Sequence, residues 1–179
     1  MDYKSFTELL KTVIEKKDKD FLLKFLSDFS NDMINLKNKY NYTPLHYLMK
    51  YQFSNCSDQL EILEMFRGEM IELKNKYNYT PLHLLMMYQI SKCSNQLEIL
   101  KMFHNEMITL KNTYNQTPLD NLMKVQFYYY FEELKKEIVK LFKEHLTDYE
   151  DKIKDYIEPE NELLLKVKRG TVVRIEYID

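Results

Sequence analysis

Two histidines, His46 and His83, and two cysteines, Cys56 and Cys93, are the side chains of this 179-residue sequence whose types and spacing invite chemistry. A histidine can act as a general base or metal ligand, and a cysteine as a nucleophile, disulfide partner or zinc ligand. Their spacing argues otherwise. The histidines lie 37 residues apart (83 − 46 = 37), and so do the cysteines (93 − 56 = 37). Each pair therefore marks one position written twice, not two groups converging on one substrate. Equivalent positions of packed helices lie roughly 8–10 Å apart, beyond the ~7 Å a disulfide spans, so both thiols are expected to stay reduced. No Ser-His-Asp or Cys-His order, glycine-rich phosphate loop or zinc-ligand spacing occurs, and carboxylate pairs such as Glu132-Glu133 read as helix surface charge. The expectation is a protein that is not an enzyme, with no catalytic residues, no cofactor and no metal.

The same period organises the elements that would carry these residues. LKNKYNYTPLH runs from Leu36 to His46 and again from Leu73 to His83, and LKNTYNQTPLD follows from Leu110 to Asp120. Thr43-Pro44, Thr80-Pro81 and Thr117-Pro118 each join an N-cap side chain to a proline at the first helical position, which starts a helix. In the helices that follow, Leu45, Leu48 and Met49, then Leu82, Leu85 and Met86, then Leu119, Leu122 and Met123, form one apolar stripe. After a polar loop comes a second amphipathic helix, QLEILEMF at Gln59 to Phe66 and QLEILKMF at Gln96 to Phe103. Its third copy, EIVKLF at Glu137 to Phe142, comes after a longer or partly helical loop around YYYFEELKK, and each pair ends in an extended polar turn such as MIELKNKYNY. Upstream, SFTELLKTVIEKK opens with a Ser5 to Glu8 capping box and DFLLKFLSDF supplies its partner helix, as in a capping repeat. Beyond Phe142, TDYEDKIKDYI reads as a polar helical stretch and LLLKVKRGTVVRIEYI as a β-hairpin about Arg169-Gly170. Its apolar faces, Leu163, Leu165 and Val167 opposite Val173, Ile175 and Tyr177, need cover, which suits a cap on the last helix pair.

TPLH opening a helix, an EIVKL-like second helix and a turn before the next TPLH resemble the ankyrin-repeat family, whose period is about 33 residues. Here the period is 37, and Leu-Met stands where the family favours small alanines. The resemblance implies an all-α solenoid of helix pairs with polar turns, here with a C-terminal helical stretch and a short β-hairpin. The predicted organisation is a repeat region at 1–142, made of a cap at 1–37, repeats at 38–74 and 75–111 and a last repeat at 112–142, with an extension at 143–179. Asn41, Asn78 and Asn115 fall where the family has a left-handed glycine, and asparagine tolerates that conformation. Asn38, Asn75 and Asn112 match the family's turn-opening aspartate. The TPLH histidine implies a structural partner of backbone groups near the turn.

The resemblance also implies a non-enzymatic module that binds a partner protein through a concave surface of turn tips and first helices. Carried over position by position, that surface is Lys37, Lys39, Tyr40, Tyr42, Tyr47, Lys50 and Tyr51 in the first row. The second row is Lys74, Lys76, Tyr77, Tyr79, Met87 and Tyr88, and the third is Lys111, Thr113, Tyr114, Gln116, Lys124 and Val125. Tyrosine gives large rigid contact area with a polar tip, and lysine beside it favours an acidic or polar patch. The bland alternative is that Tyr42 and Tyr79 pack on neighbouring turns and the lysines only solubilise. A different class of partner, single-stranded nucleic acid on the basic-aromatic turns, is disfavoured by acidic outer helices and a pI near 6.1. The net charge of −2, from 26 basic and 28 acidic residues, gives no whole-molecule field toward nucleic acid or membrane. With 45% hydrophobic residues and no membrane span or secretory signal, a soluble cytoplasmic protein is expected, monomeric unless the hairpin edge pairs with a second copy. The skew toward Lys, Asn, Tyr and Ile, with no Ala or Trp, fits an AT-rich genome. A viral or microbial inhibitor or adaptor acting in the host cytoplasm or nucleus follows as one expectation.

Overall fold

The computed structural model describes residues 1–125, 132–146, 163–166 and 174–177. They are mostly helical, and the chain divides into two compact units, Met1–Gln126 and Phe127–Asp179. The division falls inside the stretch joining the two helices of the last repeat, whereas sequence spacing places a boundary after Phe142.

In the first unit, α1 (Tyr3–Glu15) and α2 (Lys19–Asp28) form the N-terminal pair. Asp2 rather than Ser5 caps α1: its carboxylate accepts the Ser5 N–H at 2.8 Å, so the expected Ser5 to Glu8 box already lies inside the helix. An ionised acid at the positive end of the helix makes the better cap. Phe6, Phe25 and Phe29 cluster between the pair, with Phe25 and Phe29 ring centroids 4.8 Å apart.

Each of the next two repeats contains three α-helices instead of the expected two. In the first, α4 (Pro44–Tyr47) runs into a π-helical turn, Leu48–Gln52, and is followed by α5 (Gln59–Met65) and α6 (Arg67–Glu72). The second has α7 (Pro81–Tyr88), α8 (Gln96–Met102) and α9 (His104–Thr109); the cap has the equivalent short helix α3 (Ser30–Asn35). The extra segment arises because the chain leaves helical geometry at one residue, Phe66 or Phe103, with ψ 24°, and then resumes. Both rings are buried, so the break reorients the chain without exposing the core. The third copy contributes α10 (Pro118–Val125).

Helices α1, α4, α7 and α10 pack side by side in that order. Leu45, Leu48, Met49, Leu82, Leu85, Met86, Leu122 and Met123 are all fully buried, so the predicted apolar stripe is the core face. The three asparagines at the turns adopt left-handed backbone, with φ of 60°, 57° and 58° at Asn41, Asn78 and Asn115.

The second unit contains α11 (Glu132–Phe142), which buries Ile138 and Phe142 and begins within YYYFEELKK, in line with the partly helical alternative for that stretch. Strand β1 (Leu163–Lys166) pairs antiparallel with β2 (Arg174–Tyr177), Leu163 opposite Tyr177 and Lys166 opposite Arg174. The expected helical stretch TDYEDKIKDYI, the Arg169-Gly170 turn and the side chains of the proposed cap lie outside the described residues. Among the described residues no helix is long and apolar enough to cross a membrane.

Candidate functional site

The site is built on the turns, and the turns are built by asparagine and histidine. Asn38 Oδ1 accepts the N–H groups of Tyr40 and Tyr42 at 2.9 and 3.1 Å, and Asn75 and Asn112 repeat the arrangement on Tyr77 and Tyr79 and on Tyr114 and Gln116. These bonds close a tight loop whose return requires the left-handed asparagine three residues on. His46 Nδ1 accepts the Thr43 N–H at 3.2 Å, while the His46 N–H is directed to the Thr43 hydroxyl oxygen at 3.4 Å. A ring nitrogen that accepts places the proton on Nε2, which donates to the Tyr79 carbonyl of the next repeat at 3.1 Å. His83 repeats every bond, onto Thr80 and onto the Gln116 carbonyl at 3.2 Å. Asp120 takes up the capping half of the role, accepting from the Thr117 N–H and hydroxyl. Burial drives both histidines down to a pKa of about 4, opposed by the carbonyls they meet and, at His83, by Asp120, and helped by Lys37 at His46 and Lys74 at His83. The ring-to-neighbour bond was invisible in the sequence, because its partner lies 33 residues away.

Backbone bonds also join the turn tips: the Lys76 N–H donates to the Tyr40 carbonyl at 2.9 Å, and the Thr113 N–H to the Tyr77 carbonyl at 3.0 Å. This holds Tyr40, Tyr77 and Tyr114 in one row. They are 40%, 37% and 61% exposed, and the Tyr114 ring also meets Tyr79 at 6.3 Å. Lys37, Lys39, Lys74, Lys76, Lys111 and Thr113 are exposed alongside them, as is Lys124 on α10. Tyr42 and Tyr79 differ. They are half-buried, packing on His46 and His83 at 5.4 and 5.6 Å, and burial raises both pKa values. Gln116 is committed as well, accepting from the Tyr79 hydroxyl and the Asn112 side chain. Tyr47 leans on Tyr51 at 5.2 Å, Met87 is half-buried, and the Val125 side chain lies outside the described residues.

A groove of about 370 Å³ opens at the N-terminal end of this row, lined by Tyr3, Asn38, Tyr40, Tyr42, Lys50, Tyr51 and Tyr77. Lys50 stands inside a ring of phenols, its ammonium 4.9 Å from the Tyr51 ring centre, 5.0 Å from Tyr88 and 5.8 Å from Tyr42. Burial presses its pKa down, but the Tyr51 hydroxyl and the Tyr88 and Tyr42 phenols leave it raised on balance, so the charge is kept. Tyr3, pushed up to about 12 by burial and the neighbouring phenols, is a wall that the sequence reading omitted. It belongs to the cap, outside the 37-residue period, so spacing gave no signal for it.

Cys56 and Cys93 are free and buried, each directed to the carbonyl of Gln52 or Gln89, and burial pushes both thiols up to about 12. Among the described residues no group of three His, Cys, Asp or Glu side chains could hold a metal ion. No protein-family model matches this chain, and no match is found among curated proteins.

Proposed function

We propose that Met1–Gln126 is an ankyrin-like repeat module whose turn tips and first helices bind a partner protein, with no catalysis. The observation that carries the reading is the row of Tyr40, Tyr77 and Tyr114. They are exposed, periodic and held in line by backbone bonds, with lysines between them that meet no carboxylate among the described residues. Rigid aromatic area with polar tips on a fixed scaffold is what a recognition surface needs, because little side-chain entropy is lost on docking. The left-handed asparagines and the Thr-Pro-Leu-His caps support the family reading. The protein acts as an inhibitor or adaptor in a reducing compartment, directed at a host protein if its source is a virus or intracellular microbe.

Affinity capture with the full chain tests this. Proteins retained by the wild type should be lost when Tyr40, Tyr77 and Tyr114 are changed together to Ala, each tyrosine at a desolvated contact being worth about 1–3 kcal/mol. The same proteins should be retained by Glu61→Ala and Lys101→Ala, whose exposed side chains lie on the second helices. Equal losses from both sets of changes would remove the turns as the binding surface.

A further inference from the structure

Lys50 is distinguished from its repeat equivalents by two independent features. Its backbone lies in the π-helical turn Leu48–Gln52, whereas the equivalent Met87 lies in the regular helix α7. Such turns recur at functional sites because they re-aim a side chain out of the helical register. Its carbonyl accepts the Gln89 side-chain N–H at 2.8 Å, which fixes the turn against the next repeat. The ammonium, partly withdrawn from water among three phenol rings, has no carboxylate within ion-pair distance among the described residues. Cation–π contacts steady a charge but do not neutralise it. From residue 33 to residue 57 the sequence holds Lys37, Lys39 and Lys50 and no Asp or Glu.

We propose that the groove between Tyr3, Tyr40, Tyr51 and Tyr77 seats a carboxylate side chain from an acidic, extended segment of the partner protein, with Lys50 as its counter-ion. This deepens the docking reading above and rests on it. A carboxylate entering the groove meets a preorganised cation whose water is already partly removed and phenol hydroxyls able to donate to its oxygens. Flanking acidic residues of the same segment would follow the row toward Lys39 and Lys76, both exposed. A neutral or basic segment would leave the partly buried charge uncompensated, so the arrangement also selects against wrong partners.

The test is selection of a random peptide library on the immobilised full-length chain. Peptides selected by the wild type should carry Asp or Glu at one fixed position beside apolar or aromatic residues. Replacing that acid by its amide should weaken binding roughly tenfold, about 1.4 kcal/mol. Lys50→Met, which keeps the stem and removes the charge, should erase the acidic preference, and Lys50→Arg should restore it. Circular dichroism melting of each variant ensures that only folded protein is compared. Selected peptides with no acidic position, or an acidic preference that survives in folded Lys50→Met, would overturn the carboxylate seat. Should those same peptides still be lost on changing Tyr40 and Tyr77 to Ala, the docking reading would stand without it. Failure to select any peptide, or tighter binding of a single-stranded oligothymidylate than of the acidic peptides, would overturn both.

Discussion

His46 and His83 each commit both ring nitrogens to the scaffold, Nδ1 to its own helix cap and Nε2 to a carbonyl of the next repeat. Their folded pKa values of about 4 lie below the ordinary 6.5, so between these limits the unfolded chain binds more protons than the folded one. Stability from these residues is complete above about pH 6.5 and falls as the pH drops toward 4, by at most about 3 kcal/mol per histidine. Asp2 and Asp58, held below 3.8 by their hydrogen bonds to Ser5 and Lys19, titrate beneath this window. Urea unfolding across the pH series should show the decline in wild type and a flatter, lower profile in the His46→Asn, His83→Asn double variant. A wild-type stability constant from pH 7 to 4 would contradict the assignment. The capping role was legible because threonine, proline and histidine stand in fixed order at a helix start. The second bond was not, since it depends on how the next repeat packs. Lys50 was placed on the expected recognition surface by the family resemblance, but its enclosure by Tyr51, Tyr88 and Tyr42 combines two repeats and a π-helical turn that no local pattern announces.

Turns and helices show the same division between what is local and what is assembled. Asn78 sits at φ 57°, so Asn78→Ala should lose about 1 kcal/mol by forcing an alanine into left-handed backbone, whereas Asn78→Gly should stay within a few tenths. Equal effects of the two, measured by thermal unfolding, would show that the conformation is not what asparagine supplies. Leu85, fully buried in α7, should lose about 2–5 kcal/mol on change to Ala, since its neighbours in flanking repeats cannot close the cavity. Gln89 is a junction residue: its Oε1 accepts from the Ser54 hydroxyl at 2.7 Å and its Nε2 donates to the Lys50 carbonyl. Gln89→Leu should lose about 1–3 kcal/mol by leaving those groups unsatisfied, and a neutral result would show that water replaces the bonds. Helix starts and the buried stripe could be read from proline, threonine and a 3.6-residue period. The three-segment repeats could not, because no glycine or proline stands near the break at Phe103 and the glycine near Phe66, Gly68, lies within the helix that follows.

Charge is partitioned along the chain with the same period as the fold. Residues 73–97 hold Lys74, Lys76 and Lys92 and no acid, as residues 33–57 do, while the intervening second-helix stretch holds Asp58, Glu61, Glu64, Glu69 and Glu72. A net charge of −2 therefore hides a local difference: residues 33–57 and 73–97, which hold the first two turns, carry lysines and no acids, and acids gather in residues 58–72 between them. Composition alone hid this, since averaging over the chain cancels what the repeat segregates. The exposed ion pairs of the second-helix side, such as Arg67 with Glu64, are worth little and do not cancel the field over the turns. Such a field acts on encounter more than on the lifetime of a complex. For an acidic peptide bound at the turns, raising salt from about 0.05 to 0.5 M shortens the Debye length from about 14 to about 4 Å. The association rate should fall by roughly tenfold or more while dissociation changes little. Changing Lys37, Lys74 and Lys111 together to Gln should lower the rate at low salt and flatten its salt dependence, because those charges create the field. If stopped-flow mixing instead placed the salt effect in dissociation, contact pairs rather than the periodic field would govern recognition, and the segregation of charge would serve solubility alone.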